Sequence, residues 1–173
     1  FSSRPHCYGL RFVWCGSEER GLLGSKAYCA SHEDELKKIA LNINLDMIGT
    51  IMGQFVVHCS CEEKAAHYIE YMANELGFGI DVRNDLHSSD STPFADKGVP
   101  AVSFARSAPG NTATIHNRYD TLKLMSPGQM QEDMNFIISF ASRMANAARL
   151  PVSREIPEKI KEMLDKYLNR KRE

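Results

Sequence analysis

The chain has 173 residues, of which 43% are apolar, and this is enough for one domain with a buried core. The formal net charge is −1, so the composition indicates neither a nucleic-acid partner nor attraction to an anionic membrane. No apolar run approaches the roughly 20 residues of a membrane-spanning helix.

Apolar strand-like runs alternate with helical patterns along the chain. Residues 10–15 are rich in β-forming side chains and predict a buried first strand. The elements predicted after it are a helix over 22–31, a helical turn over 33–38, a strand over 39–48 that ends near Asp46, a strand over 55–57, a helix over 62–76, an extended segment over 80–83, a polar loop over 84–90, a short helix over 92–98, a strand over 100–105, a long loop over 106–119 and a long helix over 129–148. This alternation favours an α/β fold with a largely parallel sheet.

The composition changes after Pro151. Apolar residues between positions 156 and 168 recur on one face of a helix, with charges on the opposite face. We therefore divide the chain into a domain over 1–150 and a charged amphipathic C-terminal helix within 151–173. That helix either packs on its own domain or docks on a partner.

Five cysteines are scattered along the chain: Cys7, Cys15, Cys29, Cys59 and Cys61. The odd count does not indicate a disulfide framework, and the single residue between Cys59 and Cys61 is not the spacing of a zinc-binding pair. We expect reduced thiols, which slightly favour the cytoplasm. The compartment otherwise stays unknown, because the sequence opens at Phe1 without an initiator Met.

Acidic and histidine side chains follow the predicted strands: Glu18 and Glu19, then Asp46, Asp90 and His116. Loops at one edge of a parallel sheet converge, so we expect these side chains to lie close together. Carboxylates and imidazole suit zinc, and a cation would relieve the repulsion between two adjacent glutamates.

Each of these residues also has an ordinary structural explanation. Glu18 and Glu19 could form the acidic first turn of a helix, and Asp46 could be a turn residue. Asp90 could cap the short helix that follows, and His116 could be a solvated loop residue. Their joint occurrence after predicted strands favours a common site.

Four segments resemble the co-catalytic zinc aminopeptidases, the family of bacterial leucyl aminopeptidase, aminopeptidase Y and glutamate carboxypeptidase. They are EERGLLGS at 18–25, NLDMIG at 44–49, SDSTPF at 89–94 with GVPA at 98–101, and His116 with YDT at 119–121. The resemblance covers residue 10 to about residue 150. It implies an α/β fold, a three-layer α/β/α sandwich on a mixed, mainly parallel sheet, of which this chain lacks the N-terminal strands.

The resemblance also implies a role for each residue: Glu18 as general base, Glu19 and His116 as ligands of one Zn²⁺, Asp46 as a ligand of a second Zn²⁺, Asp90 as a supporting residue beside the pocket and Asp120 as a carboxylate that orients the His116 loop. Two adjacent glutamates then have different functions. One binds metal, and the other stays free to move a proton.

The family's upstream His-x-Asp motif does not occur before Leu10, and His6 has no Asp two residues later. His87 is a weaker alternative, through the loop that carries Asp90. We therefore expect this chain to be a C-terminal portion that is inactive and binds zinc weakly or not at all. An exposed sheet edge would favour homo-oligomers or strand exchange.

The expected function of the parent protein is zinc-dependent hydrolysis of N-terminal residues from peptides. The alternatives are a glutaminyl cyclase-like enzyme with a single zinc and a non-catalytic binding domain on the same fold. The enzyme is favoured by the retention of four residues: Glu18, Glu19, Asp46 and His116. Residue preference would depend on the pocket wall and on loops such as 106–115.

Overall fold

The computed structural model describes residues 5–107 and 115–170. The helices within those ranges are α1 Leu23–Ser31, α2 Glu33–Leu36, α3 Glu63–Leu76, α4 Thr92–Asp96, α5 Pro127–Asn146 and α6 Glu158–Tyr167, and the strands are β1 Asn42–Leu45, β2 Gln54–Ser60, β3 Asp81–Arg83 and β4 Ala101–Ser107. Two short 3-10 turns cover Glu18–Arg20 and Leu122–Leu124. All these helices and strands were predicted, with small shifts at their ends. Half of the predicted 106–119 loop, at 108–114, lies outside the described residues.

The four strands form one mixed sheet in the order β1-β4-β2-β3. β1 is parallel to β4 and β2 is parallel to β3, whereas β2 and β4 are antiparallel. The predicted α/β class with a mixed, mainly parallel sheet is therefore confirmed. The antiparallel pair at the centre reverses the direction of half of the sheet.

One face of the sheet packs against α3 and α5. Phe55 on β2 stacks with Phe104 on β4 at a ring-centroid distance of 5.9 Å, and Phe104 meets Phe140 of α5 at 5.5 Å. Ile69 and Met72 of α3 are buried in the same cluster. Burial of each such side chain contributes about 1.5–3 kcal/mol, so this cluster is the main source of stability.

The opposite face carries α4 and α6. Ile160 and Leu164 of α6 are buried against Ala95 of α4 and Ala101 of β4. The apolar positions after residue 151 therefore pack on the domain itself. Among the helices of the described ranges, none is both long and apolar enough to cross a membrane.

The prediction of a buried strand over residues 10–15 is wrong. These residues form no strand, and Phe12 and Trp14 are 71% and 87% exposed. A groove of about 680 Å³ separates this segment from β1, and its wall includes Ile137 of α5. A strand forms only when a neighbour accepts and donates its backbone hydrogen bonds, and the groove keeps the nearest strand out of reach.

The groove also leaves one edge of β1 unpaired. The N–H groups of Asn42 and Asp46 donate to Pro100 and Phe104 on the β4 side. Backbone groups alternate in direction along a strand, so those of Ile43 and Leu45 point into the groove. This edge is open to pairing with another strand.

A buried ion pair connects β4 to α5. Arg106 donates to both carboxylate oxygens of Asp133, at 2.6 and 2.8 Å, and Asp133 also accepts from the Gly49 N–H. Asp133 has no exposed surface, and the Arg106 side chain is 10% exposed. Such a pair is well satisfied only while both partners are present.

We expect Asp133→Ala to lower the free energy of unfolding by about 3–5 kcal/mol, because it leaves the Arg106 charge buried without a partner. Urea unfolding followed by circular dichroism measures this loss. The matched control is Glu75→Ala, which breaks the more exposed Arg143–Glu75 pair and should cost no more than about 1 kcal/mol. A loss for Asp133→Ala no larger than the control would contradict the prediction.

Candidate metal centre

Asp46 is fixed at the carboxyl end of β1 by a sharp change of chain direction. Its N–H extends the ladder to β4 by one residue. Met47 and Gly49 then adopt left-handed conformations, with φ of 57° and 76°. The buried Asp133 accepts the Gly49 N–H at 2.8 Å and thereby holds the turn. The Asp46 carboxylate is thus held in a defined position at the carboxyl end of β1.

The Glu18–Arg20 turn owes its shape to the glycines around it. Gly21 has φ of 98°, a value that suits a residue without a side chain. A Cβ on Gly24 would lie 2.5 Å from the Gly16 carbonyl oxygen, which accepts the Gly24 N–H. The glycines of the EERGLLGS motif therefore let the start of α1 approach the backbone that precedes Glu18.

His116 contacts Glu19 directly. Its Nε2 lies 2.6 Å from Glu19 Oε2, and both side chains are 63% exposed. The two residues share an open depression with Asn117, Arg118 and Asp120. In the described part of the chain Asp120 forms no hydrogen bond with His116, so its expected orienting role stays a prediction.

Backbone strain is concentrated around these residues. In the described ranges, the residues other than glycine with positive φ are Ser17, Leu22, Met47, His116 and Asn169. The first four belong to, or lie within four residues of, the predicted site residues. Left-handed conformations cost such residues about 1–3 kcal/mol each and occur preferentially at functional sites.

Glu18 stands in a field of negative charge. Burial raises its pKa, and the carboxylates of Asp46, Glu19 and Asp90 raise it further, while His116 opposes them. The other four residues predicted after the strands therefore all lie within electrostatic range of Glu18. Four of the five carry carboxylates.

Asp90 contributes a buried acceptor to this cluster. Its Oδ1 has no hydrogen-bond partner in the described structure. The nearby Cys15 thiol has a raised pKa, first because of burial and then because of the Asp90 charge. Burial of a carboxylate oxygen without a hydrogen-bond donor costs free energy. A cation or a proton bound beside Asp90 would reduce that cost.

The loop that carries Asp90 reaches the site by a path that strand direction does not predict. β3 is parallel to β2 and therefore antiparallel to β4, so its carboxyl end lies at the edge opposite to Asp46. The loop then crosses the face of the sheet. Asn44 Nδ2 donates to Ser89 Oγ and to Ser103 Oγ at 2.8 Å each, which ties the loop to β1 and β4.

Three residues of this crossing loop and of the strand beneath it were not predicted to have a role: His58, Asp85 and Ser89. His87 was predicted only as a weaker alternative ligand. Ser89 Oγ donates to Asp46 Oδ2 at 2.6 Å, and His87 Nε2 lies 3.8 Å from the same oxygen. Burial, and then His58, lowers the pKa of His87. The sequence contained one indication of this loop contact. Asn44, Ser103 and His58 are polar residues within otherwise apolar strands, and the sheet register places them side by side.

The donor types around Glu19 and Asp46 fit zinc, whose protein ligands are carboxylate, imidazole and thiolate. The number of donors does not reach the three of a typical catalytic site. Glu19 and His116 supply two donors at one point, and Asp46 supplies one at another. Over residues 5–107 and 115–170, no three His, Cys, Asp or Glu side chains are placed to hold one ion.

Comparison with known proteins finds relatives that are aminopeptidases. The chain is 29% identical to aminopeptidase YwaD of Bacillus subtilis over 140 residues, which is 75% of this chain and 30% of that protein. It is 26% identical to leucine aminopeptidase 1 of Aspergillus clavatus over 153 residues, which is 80% of this chain and 39% of that protein. The chain therefore spans well under half the length of either relative.

The comparison of folds also finds aminopeptidases. The solved structure of BSAP, a zinc aminopeptidase from Bacillus subtilis, matches with a TM-score of 0.72 and 25% identity over 91% of this chain and 41% of that one. The sequence model of peptidase family M28 matches residues 2–141. The resemblance read from the motifs is thereby confirmed, and the chain belongs to peptidase family M28.

Proposed function

We propose that this chain is part of a zinc-dependent aminopeptidase that hydrolyses N-terminal residues from peptides. One observation carries the proposal: of two adjacent glutamates, Glu19 is paired with His116 at 2.6 Å, whereas Glu18 has no ion-pair partner among residues 5–107 and 115–170 and lies beside the other carboxylates. The pair therefore divides into one residue that shares a contact with an imidazole and one that is available for proton transfer.

Glu18 is suited to the role of general base. A carboxylate that binds no metal takes the proton from the attacking water and passes it to the leaving amine. The raised pKa of Glu18 makes it a stronger proton acceptor than an ordinary glutamate. Zinc, when bound, supplies the polarisation of the scissile carbonyl and lowers the pKa of the water.

Two zinc positions are proposed for the parent protein. Glu19 and His116 would hold one ion, and Asp46 would contribute to the other. Ser89 already donates to Oδ2 of Asp46, so Oδ1 is the oxygen available to a cation. Asp90 would support the pocket through its buried carboxylate, and the remaining ligands would come from a His-x-Asp segment outside this sequence.

We expect the 173-residue chain alone to bind zinc more weakly than micromolar, because neither position has three protein ligands. Isothermal titration calorimetry with Zn²⁺ measures this directly. His116→Ala is the paired variant, and it should weaken any residual binding further. A sub-micromolar Kd for the unmodified chain would show that this chain completes a site by itself.

In the longer protein, we expect Glu18→Gln to lower kcat on aminoacyl-4-nitroanilides by about 10²- to 10⁴-fold, the usual contribution of a general base. Zinc content, measured by atomic absorption, should stay unchanged. Glu70→Gln on the exposed face of α3 is the matched control. Loss of zinc from the Glu18 variant would instead assign the ligand role to Glu18.

The same preparation tests the alternatives on this fold. Turnover of N-terminal glutaminyl peptides without hydrolysis of the nitroanilides would favour a cyclase. Absence of both activities with zinc fully bound would favour a binding domain. The aminopeptidase proposal requires nitroanilide hydrolysis that depends on Glu18.

We also propose that a second copy of this chain pairs with the open edge of β1. Analytical ultracentrifugation should show concentration-dependent dimers or larger species. Leu45→Lys places a charge on this edge at a residue that is already 44% exposed, and it should restore the monomer without unfolding the chain. A clean monomer of the unmodified chain at high concentration would refute this pairing.

A further inference from the structure

A row of polar side chains, buried on β2 and β4 and half-buried on β1, crosses three strands at the same level. Asn44 on β1 is in register with Ser103 on β4, and Ser103 is in register with His58 on β2. Their side chains lie on the face that the 84–90 loop crosses. Buried polar groups need partners, and this loop supplies them.

His58 and Asp85 fasten the first half of the loop. His58 Nδ1 lies 2.6 Å from Asp85 Oδ1, and Ser60 Oγ donates to the Asp85 carbonyl oxygen at 2.9 Å. His58 and Ser60 are both buried on β2, the central strand next to β4. Asp85 is thus held by side chain and backbone to a rigid element.

His87 extends this connection to the site. Its ring stacks on that of His58 with centroids 4.5 Å apart and an angle of 15° between the planes. Its Nε2 faces Asp46 Oδ2 at 3.8 Å, the oxygen that also accepts from Ser89. The distance is too long for a hydrogen bond, so the contact acts by packing and by the orientation of the imidazole.

We propose that His87, held by the His58–Asp85 pair, is a positioning residue for Asp46. The inference rests on the proposed function, in which Asp46 is a zinc ligand. His87 and Ser89 flank Oδ2 and hinder rotation of the carboxylate. Oδ1 is thereby left as the oxygen that a cation would bind. Groups that orient a ligand in this way typically contribute 10- to 100-fold to metal affinity.

The test compares zinc affinities in the longer protein by competition with a chromophoric chelator. We expect His87→Ala to weaken zinc binding about 10- to 100-fold. His87→Phe, which keeps a planar ring beside Oδ2 and against His58, should recover most of that loss. His58→Ala, which removes the support of the ring, should also weaken binding.

Two controls separate positioning from loss of stability. His67→Ala removes an exposed histidine on α3, and Val82→Ala weakens packing of β3 away from Asp46. Both should leave zinc affinity unchanged, even where thermal unfolding in EDTA shows lower stability.

The outcomes distinguish this inference from the function on which it rests. A folded His87→Ala protein that binds zinc like the unmodified protein, while Asp46→Ala binds it weakly, would overturn the positioning role alone. Unchanged affinity in Asp46→Ala would overturn the ligand role of Asp46 and the inference with it. Equal losses in His87→Ala and Val82→Ala would reduce His87 to a structural residue.

Discussion

Mutual repulsion among carboxylates is the constraint around which this fold is arranged. Glu19, Asp46 and Asp90 all stand within electrostatic range of Glu18, and His116 opposes their effect there and contacts Glu19. A cluster with more carboxylates than cationic groups opposes folding unless the surrounding structure holds it in place. The scaffold therefore has to provide rigid attachment for each acidic residue.

A different kind of interaction holds each acidic residue in place. Backbone strain and a close glycine contact shape the turn of Glu18 and Glu19. A buried ion pair between Arg106 and Asp133 holds the turn after Asp46, and hydrogen bonds from Asn44 and Ser89 hold the loop of Asp90. Strained conformations of this kind persist only where the surrounding structure enforces them, and they cluster at functional sites. The cost is consistent with a site built for a charged species.

The sequence alone was sufficient to predict helices whose apolar residues recur with a regular spacing and whose ends carry capping residues. α3 and α5 could be predicted from their apolar spacing and from the caps at Gly77 and Ser126. The same spacing rules failed for residues 10–15, because β propensity describes a side chain's fit to a sheet and says nothing about whether a partner strand is present. The structure supplies a groove where that partner would have to lie.

The site could be predicted in part for a similar reason. Glu18, Glu19, Asp46, Asp90 and His116 were found because they form motifs, and the structure brings them together. His58 and Asp85 belong to no motif, and their contact depends on a loop that turns back across the sheet. Only the polar positions in apolar strands indicated it. Long-range paths of this kind depend on tertiary contacts that periodicity does not encode.

The exposed segment beside the groove has a spectroscopic consequence. Trp14 is the chain's single tryptophan, it is 87% exposed, and its ring lies 6.1 Å from that of Phe12. We therefore expect its fluorescence emission to be that of an indole in water, and no other tryptophan contributes to the signal. Whatever covers this segment would move the indole into an apolar environment and shift its emission to shorter wavelength. The chain thus carries an optical reporter for any partner that covers this segment.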